Sequence, residues 1–115
     1  MASGGNLITA VIDGNLPRVQ ELIASGANLN AALTDGMTPL FIAALNNHKE
    51  IVNALIAAGA NVNAATNDGW TPLFIASEEG HTEIVNALIA AGANVNAATN
   101  DGWTPLYIAS DTGHA

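Results

Sequence analysis

The sequence predicts an all-α repeat solenoid of paired antiparallel helices joined by hairpin-like connectors. Three observations carry the prediction. Residues 36–68 and 69–101 agree at 27 of 33 aligned positions, so the chain repeats with a period of 33. Each copy holds two short stretches with apolar residues at helical separations. Asp35-Gly36, Asp68-Gly69 and Asp101-Gly102 punctuate the copies at equal intervals, as turns do. Repeats of this length are supersecondary units that bury their apolar faces only by stacking.

The first unit, residues 1–35, is the most divergent; its Leu22–Asn30 aligns with Leu55–Asn63. Its second helix is expected to start near Pro17, because proline suits the first helical position, where its missing N–H is not needed. In units 36–68 and 69–101, Thr38-Pro39 and Thr71-Pro72 open the first helix, with Leu73, Ala76 and Ser77 at helical separations. Gly80-His81 interrupts it. Ile84, Val85, Leu88 and Ile89 then form the apolar face of a second helix, and Gly92 follows, where a left-handed exit is cheap for a residue without Cβ. Val62 and Val95, with Leu29 in the first unit, are expected to seal the connectors against the stack. Ala43, Ala57, Ala76 and Ala90 are expected to permit close backbone approach. A fourth unit, 102–115, opens with Thr104-Pro105 and stops at Ala115, before a second helix. Leu106, Ile108 and Ala109 are therefore expected to form an uncovered apolar end that frays over residues 103–110 or docks weakly, head to tail, on another copy.

Composition excludes several functions. A 50% hydrophobic share over 115 residues marks a folded chain. Ten acidic residues against two basic ones, Arg18 and Lys49, give a net charge of -8, which opposes attraction to nucleic-acid phosphates and anionic membranes. Neither is an expected partner. The absence of cysteine removes disulfides, thiolate nucleophiles and thiolate metal ligands. With no signal-like start and every apolar stretch interrupted before spanning length, a soluble intracellular protein, cytoplasmic in the simplest case, is expected.

No reaction centre emerges. His48, His81 and His114 recur at one repeat position, so stacking separates them by roughly 10 Å, whereas zinc ligands converge at about 2 Å. Asp35, Asp68 and Asp101 repeat in turns, and Glu50 and Glu83 fall near starts of second helices, where carboxylates complement exposed amides. Ser77 and Ser110 lack the His and acid alignment of an activated serine, and no phosphate-binding glycine loop is present. No catalysis, cofactor or metal is expected.

The run Gly69-Trp70-Thr71-Pro72-Leu73, Gly80-His81, Glu83-Ile84-Val85, Leu88, Gly92-Ala93 and Val95-Asn96-Ala97 resembles the ankyrin-repeat family. The same landmarks recur as Gly36, Thr38-Pro39-Leu40, His48, Glu50-Ile51-Val52, Gly59-Ala60 and Val62-Asn63-Ala64. The first unit departs, with Gly5-Asn6-Leu7 and Pro17-Arg18-Val19 in place of Thr-Pro-Leu and Glu-Ile-Val. Phe41, Phe74 and Tyr107 stand where the family often has His after Pro-Leu, so its local Thr-His arrangement does not carry over; these rings are expected to pack between successive first helices. The resemblance implies a turn-supporting, locally bonded histidine at 48 and 81. It also implies that connector tips and first helices form the surface that meets another protein.

On that surface the candidates are Met37, Trp70 and Trp103, a side-chain ladder at intervals of 33, with Ala65, Asn67, Asp68, Glu78 and Glu79. Aromatic residues anchor interfaces through large buried area at low entropic cost. Asp68, Glu78 and Glu79 favour a partner with a basic surface. For each Trp two roles stay open: covering the core between repeats, or contacting a partner. The function that follows is a noncatalytic protein-binding scaffold. The alternative is a structural or model-repeat protein, an engineered or excised portion, motivated by the near identity of the copies and by termination soon after the first helix of the last unit. Asn53, Ala54, Asn86 and Ala87 on outer faces of second helices, where Lys and Glu are commonly expected, are in keeping with an engineered surface.

Overall fold

A computed structural model describes residues 3–106. Among these residues there are six helices and no strands: α1 Ser3–Ile12, α2 Leu16–Ala24, α3 Pro39–Leu45, α4 Lys49–Ala57, α5 Pro72–Glu79 and α6 Thr82–Ala90. The pairs α1/α2, α3/α4 and α5/α6 pack together, α1, α3 and α5 stack in one row, and α2, α4 and α6 stack in the other. The molecule is elongated, 41 × 26 × 22 Å.

Helix starts follow local chemistry. Thr38 and Thr71 accept the N–H of Phe41 and Phe74 at 3.2 and 3.1 Å, immediately before Pro39 and Pro72. Such a cap satisfies an amide that the helix itself leaves unpaired. Asn15 does the same for Arg18 N at 3.2 Å, so α2 starts at Leu16 with Pro17 in its first turn, as expected. Glu50 and Glu83 lie in the first turns of α4 and α6. The α5 exit is left-handed at Gly80, φ 75°. The matching Asn47 adopts φ 60°, a conformation that asparagine tolerates better than most side chains.

Helices of 7 to 10 residues do not hold alone in water, and inter-repeat burial stabilises them. Leu7, Val11, Val19, Val52, Leu55, Ile84 and Leu88 are all completely buried, each worth about 1.5–3 kcal/mol relative to exposure. Phe41 and Phe74, expected to pack between successive first helices, are both buried. Ala43 and Ala76 are also fully buried, but Ala57 and Ala90 are exposed. The latter two end their helices on the solvent side, so of the four only Ala43 and Ala76 sit where small size can matter for packing. Leu29 and Val62 pack against the core. Val95 does not seal its connector: it is 45% exposed, with Ile89 and Leu106 also exposed, and these three line a recess with Leu73, Val85 and Pro105. The roles assigned to Tyr107, Ile108, Ala109, Ser110 and His114, and most of the span expected to fray, lie outside the described residues. Among those described, no helix is long and apolar enough to cross a membrane.

The connectors form hairpin-like tips. Leu33, Thr66 and Thr99 donate their N–H to the carbonyls of Met37, Trp70 and Trp103 at 3.0, 2.8 and 2.7 Å. Neighbouring tips are tied directly, Asn67 N to Asp35 O at 2.9 Å and Asn100 N to Asp68 O at 3.0 Å. A second tie lies lower, where Asn61 N and Asn94 N donate to the Oδ1 of Asn30 and Asn63.

Candidate functional site

Each tip hands the chain to a first helix through the residue of the Met37, Trp70, Trp103 series. The tip fixes that residue from both sides: its carbonyl closes the hairpin, and its N–H is also held. Trp70 N and Trp103 N donate to Thr66 Oγ1 and Thr99 Oγ1, both at 3.2 Å. Leu33 has no hydroxyl to offer at the matching place, and Met37 N donates instead to Asp35 Oδ1 at 3.1 Å. The side chains of Met37 and Trp70 are half-buried and lie against the core. The Trp70 ring meets Phe74 with centroids 5.0 Å apart at 59°, a tilted geometry favourable for aromatic pairs.

Between the first and second tips and helices α3 and α5 these residues enclose a groove of about 260 Å³. Its apolar wall comprises Met37, Phe41, Leu45, Trp70 and Ile75; Thr66, Asp35 and Asp68 add the polar lining. The groove thus unites three of the expected residues, Met37, Trp70 and Asp68. Trp103, half-buried, continues the series one unit further on. Ala65 is exposed and lines no part of the groove. Asn67 serves the tip: its Nδ2 donates to Thr34 O at 3.1 Å while its N–H binds Asp35 O.

Glu78 and Glu79 end α5 outside the groove. Glu78 is half-buried, and desolvation, followed by repulsion from Glu79, raises its carboxyl above the usual carboxylate range. In the repeat, Glu78 occupies the phase of Leu45. Leu45 is therefore a groove residue outside the expected set, although the Leu-to-Glu change between copies at its phase already marks the position as variable. Phe41 and Ile75 were less accessible, since both are buried and read as core.

Acid groups on this side find no internal cation. Arg18 pairs with Glu21, and Lys49 Nζ lies 2.8 Å from Glu83 Oε1, whose hydrogen bond and charge raise the ammonium pKa. The histidine expected to bond locally instead reaches across units. His81 Nε2 donates to Leu45 O, the last carbonyl of α3, at 3.3 Å, and the His48 ring lies against Gly14 of the first unit. Periodicity locates such a ring but not its reach. No group of three or more His, Asp and Glu among the described residues could hold a metal ion, and Ser77 is buried in α5.

Comparison with known proteins adds a family. The model for "Ankyrin repeats (3 copies)" matches residues 7–99 and again 60–115. The Notch-regulated ankyrin repeat-containing proteins of Homo sapiens and Mus musculus are each 46% identical over 43 residues, 37% of this chain and 38% of theirs. The Xenopus tropicalis protein of that name matches to the same extent. The matched segment thus spans well under half the length of these curated relatives.

Proposed function

The chain belongs to the ankyrin-repeat family, whose members mediate protein–protein interaction, and on that premise we propose that it is a noncatalytic binding scaffold whose contact surface is the groove between connector tips and first helices. The observation that carries this is the preformed apolar recess of Met37, Phe41, Leu45, Trp70 and Ile75 beside two carboxylates. A largely preformed surface loses little conformational freedom on binding, and the tip-to-tip hydrogen bonds support such rigidity. Trp70 combines the two roles open at the sequence level: one side packs on Phe74 and the remainder is available to a partner.

The test is a binder selected from a display library against the folded chain, with its footprint read by amide hydrogen exchange. Protection gathered at residues 35–45 and 66–75 is expected. Protection confined to α2, α4 and α6 would place the contact on the opposite row and overturn the proposal.

A second reading has its own observation. The recess of about 320 Å³ containing exposed Ile89, Val95 and Leu106 supports weak head-to-tail docking of a second copy, an open-ended contact. Sedimentation velocity should then show a mass that rises with concentration and becomes constant in Ile89→Glu. A monomer at all concentrations would dismiss it.

A further inference from the structure

Resting on the groove reading above, we propose that its occupant is a polyproline-type segment with arginine or lysine at every third residue, laid along the row of connector tips. The spacing of the tips comes first. Asn67 N donates to Asp35 O at 2.9 Å and Asn100 N to Asp68 O at 3.0 Å. Covalent geometry then holds the Cα atoms of Asp35, Asp68 and Asp101 no more than about 10 Å apart in sequence, in keeping with the roughly 8–10 Å between packed helices. A polyproline II chain rises about 3.1 Å per residue with three residues per turn, so residues i, i+3 and i+6 face one way about 9.3 Å apart. A β-strand covers nearly that distance in three residues but turns i and i+3 to opposite faces. A helix reaches a comparable spacing only at every seventh residue, about 10.5 Å, and at about 10–12 Å across with its side chains it is a bulkier occupant than a polyproline chain.

The chemistry of the groove selects the side chains. Its apolar wall takes the residues between the basic ones, while Asp35 and Asp68 complement the charge. The Asp68 carboxylate makes no hydrogen bond or ion pair with the described residues, and both cations of the chain are engaged at other sites. A guanidinium reaching Asp68 also lies within reach of the Trp70 indole, where it gains from the ring's negative face as well as from the carboxylate. The segment's pre-set backbone limits the entropy lost on docking.

Three synthetic peptides test this against the full chain, by titration with Trp fluorescence and by the indole N–H resonances. One repeats Arg-Pro-Leu, one has the same composition with its arginines contiguous, and one is helix-forming with Arg at i and i+7. The period-three peptide should bind at least about fivefold more tightly than its isomer, shift the Trp70 indole, and weaken with salt. Asp35→Asn and Asp68→Asn should each reduce its affinity by about threefold to fivefold, the range of an exposed ion pair. Asn keeps an oxygen for Met37 N, and unchanged melting verifies the fold. Equal binding of the isomer would overturn the register, tighter binding of the helical peptide would overturn the conformation, and no binding by any peptide would overturn the occupant. In each of those cases the groove reading still stands or falls on the footprint of the selected binder, which keeps the two failures distinct.

Discussion

Replacing Gly69 by Ala perturbs the joint between two connector tips, and Gly59→Ala provides an internal control. Both glycines have positive φ, +83° and +95°, so each substitution meets the left-handed penalty of about 1–2 kcal/mol and the same small gain from a stiffer unfolded chain. The surroundings differ. A Cβ at Gly59 has nothing within 4 Å, whereas one at Gly69 lies 2.6 Å from Asn100 Oδ1 and 2.9 Å from Asn100 N. The second and third tips must separate, giving up Asn100 N to Asp68 O and Asn100 Nδ2 to Asn67 O, both 3.0 Å. At about 0.5–1.5 kcal/mol each, these make Gly69→Ala about 1–3 kcal/mol worse than Gly59→Ala. Urea unfolding reads this as a midpoint about 1 M lower, for a slope of about 2 kcal/mol/M. Faster amide exchange at Asn100 should appear in Gly69→Ala alone. Equal midpoints and equal Asn100 protection would refute the claim that direct hydrogen bonds hold the tips in register.

Other changes test single links. Thr71→Val keeps the shape of a buried side chain but removes the acceptor for Phe74 N; a loss of about 1 kcal/mol, or about 4 °C in melting temperature, is expected, and wild-type melting would disprove the cap. Asn47→Gly relieves φ 60° at the position where the next copy already has Gly80, and it should stabilise by about 0.5–1 kcal/mol; destabilisation in urea would show that the Asn47 side chain contributes more than its backbone costs. Glu78→Gln concerns pH. Because burial raises the folded carboxyl value above the unfolded one, this group favours folding fully below the unfolded value and loses that contribution as pH rises through the folded one. Glu78→Gln should therefore melt slightly higher than wild type at neutral pH, with the gain vanishing in acid; a gain that grows in acid would reverse the assignment.

The elements most legible in the sequence were those set by residues close together. Thr-Pro marked the starts of α3 and α5, Asp-Gly the tips, and Ile84 with Leu88 the buried face of α6, because capping, turn geometry and helical period act over a few residues. What sequence spacing missed depends on reach between copies. Asn67 reads as an exposed interface residue, and spacing gave no sign that it also binds Thr34 and Asp35 one unit back. His81 reads as a local turn support, yet it bonds Leu45. Ala57 and Ala90 read as close-packing residues, but they point outward at helix ends, where small size has no packing consequence. The groove itself was half visible: Met37, Trp70 and Asp68 stand out by repeat phase, whereas Leu45 acquires its role only when α3 and α5 are stacked.

Leu45→Glu tests the central claim most directly. It introduces into the groove the residue that α5 already carries at the same phase as Glu78, so the fold has a precedent for it, while a carboxylate inside the apolar recess must be desolvated when a partner docks. The measurement is the affinity of a display-selected binder for wild type and Leu45→Glu at matched folded fraction. A loss of at least about tenfold, equal to about 1.4 kcal/mol, with melting within a few degrees of wild type, is predicted. Unchanged affinity for a folded Leu45→Glu chain would contradict the account and move the binding surface away from the groove.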